Sequence, residues 1–184
     1  MRNNSEPWRH NTGRLVLALL ATLAMILYAQ FVLGHFSLCS SKPAGPNSPG
    51  LSFGYSAEQL IAFYSIRNVA ELECYGNLIR IWDNIFPLVY TAMYVLWLNY
   101  LFRKPNLFFL LPLIRMCADW IENAIELSLL HTWQQTGKIA DSALHLGSSV
   151  TMVKWGLSFV IYAVMLIGIG LAIRSRFSVS SKGT

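Results

Sequence analysis

Leu15 to Leu33 is a run of nineteen residues without a charged side chain, LVLALLATLAMILYAQFVL, and it limits the possible folds more than any other feature. A helix rises 1.5 Å per residue, so about 20 apolar residues cross the roughly 30 Å of hydrocarbon in a bilayer. The composition agrees, because 54% of the 184 residues are hydrophobic and only 12% are charged, against about 25% charged in soluble proteins. The run therefore predicts a membrane helix.

Three further segments are long and apolar enough to cross a bilayer, although each contains polar residues; they are 79–102, 107–132 and 150–173. The sequence FRKPN at Phe102 to Asn106 predicts a tight hairpin between two of them, because Pro105 suits the first turn of a helix. No other stretch is long enough for a second hydrophobic core. We therefore predict an all-α fold, an antiparallel bundle of four transmembrane helices that forms a single domain over residues 1–184.

The first segment could also be a signal peptide, because three arginines precede it. Its apolar run exceeds the roughly 7 to 15 residues of a signal sequence, and no small-x-small cleavage pattern follows it, so an uncleaved helix is favoured. Basic residues favour a cytoplasmic location for both termini of a multi-pass protein of the inner (plasma) membrane. The inner side would hold Arg2, Arg9, Arg14, Arg103, Lys104, Arg174, Arg176 and Lys182, against Lys42, Arg67, Arg80, Lys138 and Lys154 on or near the other side.

The outward loop, residues 34–78, divides into two parts. Its first part is rich in Pro, Gly and Ser, which is typical of an exposed connector. Its second part, Ser56 to Tyr75, predicts two short helices on the membrane face, and Ser56 with Gln59 has the spacing of a capping box. This segment is either a cap over the bundle or a surface for membrane sensing or docking.

Two of the three cysteines, Cys39 and Cys74, fall in the outward loop, and Cys117 falls within a predicted membrane helix. The outward side is the compartment in which a disulfide persists. The sequence allows a bridge between Cys39 and Cys74 that would tie the cap to the end of the first helix, and it equally allows both thiols to stay free.

The third predicted helix carries four ionisable residues in LIRMCADWIENAIELSLL, Leu113 to Leu130. At 100° per residue, Arg115, Asp119, Glu122 and Glu126 fall within about 60° of one another on the helix surface. A charge in the bilayer centre costs roughly 2.5 to 3.5 kcal/mol or more, so this face must be turned away from lipid. Arg115 and Asp119 are also spaced to pair with each other.

Two other helices contribute matching polar faces, which indicates one polar interior. The predicted pocket consists of Arg80, Asp83, Tyr90, Tyr94, Arg115, Asp119, Glu122, Asn123, Glu126, Lys154 and Tyr162. With three basic residues against four acids, the set has one acid in excess, which predicts a protonated carboxyl or a bound cation. Glu122 is the expected central residue, because its own helix offers no base four residues away and Lys154 is its nearest basic candidate from another helix.

The segments RIWDNIFPLVY and ADWIEN resemble a pattern in uncharacterised small four-helix membrane proteins of bacteria. In this sequence the pattern D-x-x-F-P-x-x-Y falls on Asp83, Phe86, Pro87 and Tyr90, and D-x-x-E-N falls on Asp119, Glu122 and Asn123. The resemblance implies a four-helix membrane fold and carries no activity with it. A looser architectural likeness is to the sterol isomerase and sigma-2 receptor class, whose small bundles hold acids in an apolar ligand pocket.

Three functions of different classes are compatible with these features. The first is the binding, with or without a reaction, of a lipid or amphipathic small molecule in the polar pocket. The second is an interaction subunit of a larger membrane complex or homo-oligomer, in which the polar stripe fixes helix packing. The third is a proton or ion pathway. The sequence has no nucleotide, acyl-hydrolase or thioredoxin-like motif, and we expect no cofactor, no metal and no nucleic-acid partner.

Overall fold

The computed structural model describes residues 12–36, 39, 46–102 and 107–180, and it contains no β-strand in them. The predicted hairpin at Phe102 to Asn106 lies largely outside these residues. The α-helices are, in chain order, α1 (Thr12–Leu27), α2 (Ala57–Ser65), α3 (Val69–Asn77), α4 (Asn84–Phe102), α5 (Leu110–Thr136) and α6 (Asp141–Ser180). The predicted all-α fold is therefore confirmed for the described residues.

Three helical stretches are long and apolar enough to cross a membrane; they are Thr12–Phe36, Val69–Phe102 and Asp141–Arg174. The first consists of α1, a π-helical stretch at Tyr28–Leu33 and a 3-10 turn at Gly34–Phe36. Ala18 is the one buried residue of α1, and most of its leucines are exposed. An apolar, exposed surface is suited to contact with lipid, as expected of a membrane helix at this position.

The second membrane stretch starts ten residues earlier than the sequence predicts. Helix α3 continues through a π-helical stretch, Leu78–Asp83, into α4. Two short cap helices were expected over Ser56 to Tyr75, and the second of them is the outer end of this long helix. The capping box of α2 at Ser56 and Gln59 is confirmed, and Asn68 with Glu71 forms another at the start of α3.

Helix α5 has 27 residues and ends at Gly137, whose φ of 64° is a left-handed conformation that glycine adopts without strain. Because it contains four charged residues, α5 is not among the three stretches that are apolar enough to cross a membrane. It packs along α6, while α1 packs along α4, and α4 contacts both α5 and α6. The structure thus brings the polar faces of α4, α5 and α6 together.

The cap is fixed to the bundle by covalent and polar contacts. Cys39 and Cys74 form a disulfide, with their Cα atoms 6.0 Å apart. Arg67 donates from Nε to the Cys39 carbonyl at 2.8 Å, and its guanidinium lies 3.5 Å from the centre of the Phe63 ring. Phe63 and Tyr64 of α2 pack on Tyr75 and Leu129, so the cap covers the outer ends of α3 and α5.

Candidate functional site

The four charged residues of α5 all point into the bundle. Arg115, Asp119, Glu122 and Glu126 are buried, and so is Lys154 of α6. The helical spacing in the sequence predicted this shared face, because residues four and seven apart return to the same side of a helix. The charges meet neighbouring polar groups at three levels along α5.

At the innermost level Arg115 pairs with Asp119. Arg115 Nη1 lies 3.4 Å from Asp119 Oδ2, and Arg115 Nε donates to the Ser158 hydroxyl at 2.6 Å. The guanidinium also lies 3.8 Å from the centre of the Tyr90 ring. Because the Tyr90 hydroxyl donates to Asp119, the pair is enclosed by side chains of α4, α5 and α6.

At the middle level Lys154 neutralises two acids. Its Nζ lies 3.3 Å from Asp119 Oδ1, forms an ion pair with Glu122, and donates to the Gly50 carbonyl at 3.0 Å. Thr151 also donates to Glu122. Glu122, the expected central carboxyl, therefore has the basic partner that the sequence named as a candidate.

Two acids lack a basic partner, Glu126 at the outermost level and Asp83 closer to Asp119. Glu126 is only 3% exposed and accepts a hydrogen bond from the Tyr75 hydroxyl at 2.7 Å. Asp83 lies on α4's outer extension, in the π-helical stretch. Neither Asp83 nor Glu126 forms an ion pair with any residue that the structure describes. Glu126 is buried and Asp83 is half-buried, and carboxylates held away from water without a base are costly, so these two give the site its excess negative charge.

Both acids line a cavity of about 180 Å³. Arg115, Asp119 and Lys154 also reach it, and apolar side chains line the rest: Leu33, Leu51, Leu78, Ile79, Phe86 and Trp155. A 3-10 turn at Pro49–Leu51 covers it. A Cβ atom on Gly50 would lie 3.7 Å from Glu122 Oε2, Glu126 Oε2 and Lys154 Nζ alike, so the backbone of this turn rests directly on the charged groups.

Arg80 is absent from this cavity, which corrects the predicted site. It is exposed and lies in a separate groove between the α3 end of the long helix and α5. A π-helical turn holds more residues than an α-helical turn, so faces assigned at 100° per residue drift apart across Leu78–Asp83. With Arg80 removed, Asp83, Asp119, Glu122 and Glu126 face only Arg115 and Lys154, an excess of two acids.

The remaining predicted residues lie at the edges of the site. The Tyr94 hydroxyl donates to that of Tyr162 at 2.9 Å, and Tyr162 is 45% exposed on the outside of the bundle. Asn123 is buried and its amide lies 3.4 Å from Asn84 Oδ1. Tyr75 and Gly50 were not predicted. A continuous α3–α4 helix carries Tyr75 to the cavity, and no sequence pattern marks Gly50.

Two more tyrosines lie near Glu126 under the cap. Burial raises the pKa of the Tyr55 and Tyr64 hydroxyls, and the nearby Glu126 carboxyl raises both further. The two phenols therefore stay protonated at physiological pH. Neither hydroxyl has a hydrogen-bond partner among the described residues, which leaves two buried donors beside an acid.

The fold and site define an all-helical protein with three helices that can cross a membrane and an acidic cavity beneath a cap. No protein-family model, curated protein or solved structure matches this chain. The resemblance of Asp83 to Tyr90 and of Asp119 to Asn123 to bacterial four-helix proteins therefore stays a prediction.

Proposed function

We propose that the chain is a four-helix integral membrane protein that binds the positively charged head of a lipid or other amphipathic molecule in the cavity beneath its cap. In this arrangement α5 is the fourth membrane helix. Its charged face is turned to α4 and α6, and the opposite face exposes Leu113, Ile114 and Ile121, which suits contact with lipid. Both termini would be cytoplasmic, in the inner membrane of a bacterial cell.

The observation that carries the proposal is that two acids without a basic partner, Asp83 and Glu126, both line the cavity. Lys154 and Arg115 are already used by Asp119 and Glu122. An ammonium group in the cavity would balance one of the two remaining charges, and a proton on the other carboxyl would balance the second. The described residues gather no set of three His, Cys, Asp or Glu side chains suited to a metal ion, which favours an organic ammonium group.

The size of the cavity limits which part of a ligand enters. A cavity of about 150 Å³ holds a molecule such as benzene, so about 180 Å³ accommodates a small head group and excludes a long hydrocarbon chain. Apolar residues at the end of the first helix and on α4, among them Leu33, Leu78 and Phe86, line the same cavity. They provide a surface along which an attached chain leaves toward the membrane.

The two alternative functions receive less support. A proton or ion pathway needs polar groups through the whole bundle, whereas the network ends at Tyr94 and Tyr162, and Leu98 is the next buried residue along α4. In an interaction subunit the polar stripe would serve only to fix the packing of the helices. That role does not require the two excess acids.

The test compares two ligands of equal chain length in nonionic detergent. We expect dodecylamine, which is cationic at neutral pH, to raise the melting temperature of the protein, and uncharged dodecanol to leave it unchanged. Glu126→Gln keeps the shape of the side chain and should abolish most of the shift. Glu58→Gln, at an exposed acid of α2, is the matched control and should keep it. Equal shifts with amine and alcohol would contradict the proposal.

A further inference from the structure

A second groove, on the flank of the bundle, is separate from the acidic cavity. It has a volume of about 260 Å³ and lies between the outer end of the long helix and α5. Glu73, Asn77 and Arg80 form one wall of the groove. Across from them on α5 lie Gln134, His131 and Leu127, in the order that an antiparallel helix gives.

The floor of the groove is apolar and its rims are polar. The two helices are in close contact at Gly76, where an added Cβ would lie 3.2 Å from Leu130 Cδ2. Glu73 and Arg80 are exposed on the rim, and neither forms an ion pair with a residue in the described part of the chain. The groove therefore offers one open anion and one open cation above a hydrocarbon floor.

Glu73 and Arg80 follow one another along the helix in the order that suits the two charges of a phospholipid head group. Glu73 is nearer the cap, and Arg80 lies seven residues, about 10 Å, further toward the apolar part of α4. In a phospholipid the phosphate is likewise nearer the acyl chains than the ammonium group is. Helical side chains lean toward the helix N-terminus, here the cap end, so the Arg80 guanidinium leans toward Glu73 and the head-group level.

We propose that this groove binds the head group of a zwitterionic phospholipid of the phosphoethanolamine type, with Arg80 on the phosphate and Glu73, joined by the side-chain carbonyl of Gln134, on the primary ammonium. Glu73 would repel a purely anionic head group. A quaternary ammonium has no N–H donor for Glu73, and the described lining of the groove has no Phe, Tyr or Trp ring to receive it. The site rests on the proposed membrane-spanning arrangement and uses none of the residues of the acidic cavity.

The test is native mass spectrometry of the full-length protein in nonionic detergent with equal amounts of dioleoyl phosphatidylethanolamine, phosphatidylcholine and phosphatidylglycerol. We expect the ethanolamine lipid to be retained about tenfold more than the other two. Arg80→Gln should remove this preference, and Arg80→Lys should keep much of it. Glu73→Gln should shift the preference to phosphatidylglycerol, because the phosphate contact persists without the repelling acid. Lys138→Gln, at an exposed base outside the groove, is the control.

Equal retention of the three lipids by the wild-type protein would overturn the inference, as would unchanged retention by Arg80→Gln. All four changes are at exposed positions, so a melting curve will show that each variant is folded. The acidic cavity is tested separately by Glu126→Gln. If Glu126→Gln rather than Arg80→Gln removes the ethanolamine lipid, the lipid occupies the cavity, which contradicts the groove site and leaves the proposed function intact.

Discussion

Lys154 connects two buried acids of α5 to the Pro49–Leu51 turn. Its ammonium group forms ion pairs with Asp119 and Glu122 and donates to the Gly50 carbonyl. The penalty of burying an ion is offset only when its remaining hydrogen bonds are also made. Lys154 satisfies this condition with partners from α5 and from the Pro49–Leu51 turn, so it links the bundle to the turn that covers the cavity.

Removing the Lys154 charge should be strongly destabilising. Lys154→Met would leave Glu122 without a base, and breaking a buried pair from one side costs roughly 3 to 5 kcal/mol. The measurement is thermal unfolding in nonionic detergent, with exposed Lys138→Met as the matched control, which should change stability by less than about 0.5 kcal/mol. If both variants melt at the same temperature, Lys154 does not neutralise a buried acid.

Gly147 of α6 packs against the Tyr55 hydroxyl and leaves no space for a side chain. A Cβ on Gly147 would overlap the Tyr55 hydroxyl, whereas the ring carbon that bears it would lie 3.3 Å away. Gly147→Ala should therefore cost about 1 to 3 kcal/mol in the wild type. The cost should be smaller in a Tyr55→Phe background, measured as a double-mutant cycle by thermal unfolding. An identical cost in both backgrounds would show that the hydroxyl does not fill this space.

Local patterns predicted individual elements better than the relation between them. The Ser56 and Gln59 capping box and the charge stripe from Arg115 to Glu126 depend only on spacing within one helix, and the structure has both. The π-helical stretch before Asn84 could not be predicted from periodicity. It joins α3 to α4, turns Arg80 away from the cavity and brings Tyr75 to Glu126. Gly50 lies beside the acids because of tertiary packing, which no periodic pattern in the sequence predicts.

The disulfide connects the segment that follows α1 to helix α3. A non-reducing peptide map of the native protein should contain one fragment pair joined through Cys39 and Cys74, and reduction should separate it. Replacing both cysteines by serine should lower stability by about 2 to 4 kcal/mol, because the unfolded chain regains the freedom of the closed loop. Recovery of Cys39 and Cys74 only as free thiols would contradict the bridge.

For the whole molecule, the proposed bundle places its two ends on opposite sides of a membrane. Lys138 follows α5 at the cap end, and Leu107 precedes α5 at the other end; both are exposed. In a background with Cys117→Ser, a membrane-impermeant thiol reagent added to intact bacterial cells whose outer membrane has been made permeable should label Lys138→Cys and leave Leu107→Cys unlabelled. The opposite pattern would invert the proposed orientation, and labelling at both sites would remove α5 as a membrane helix.

Asp83 and Glu126 are proposed to hold a cationic amphipathic molecule, which native mass spectrometry of the protein as purified from membranes can detect. We predict a retained small molecule whose fragmentation shows an amine head group. It should be lost in Asp83→Asn with Glu126→Gln and kept in Glu58→Gln and Arg80→Gln. A bare chain mass, an adduct that persists when the double variant is combined with Arg80→Gln to empty the groove, or a stoichiometric protein partner in place of a small molecule would contradict this binding.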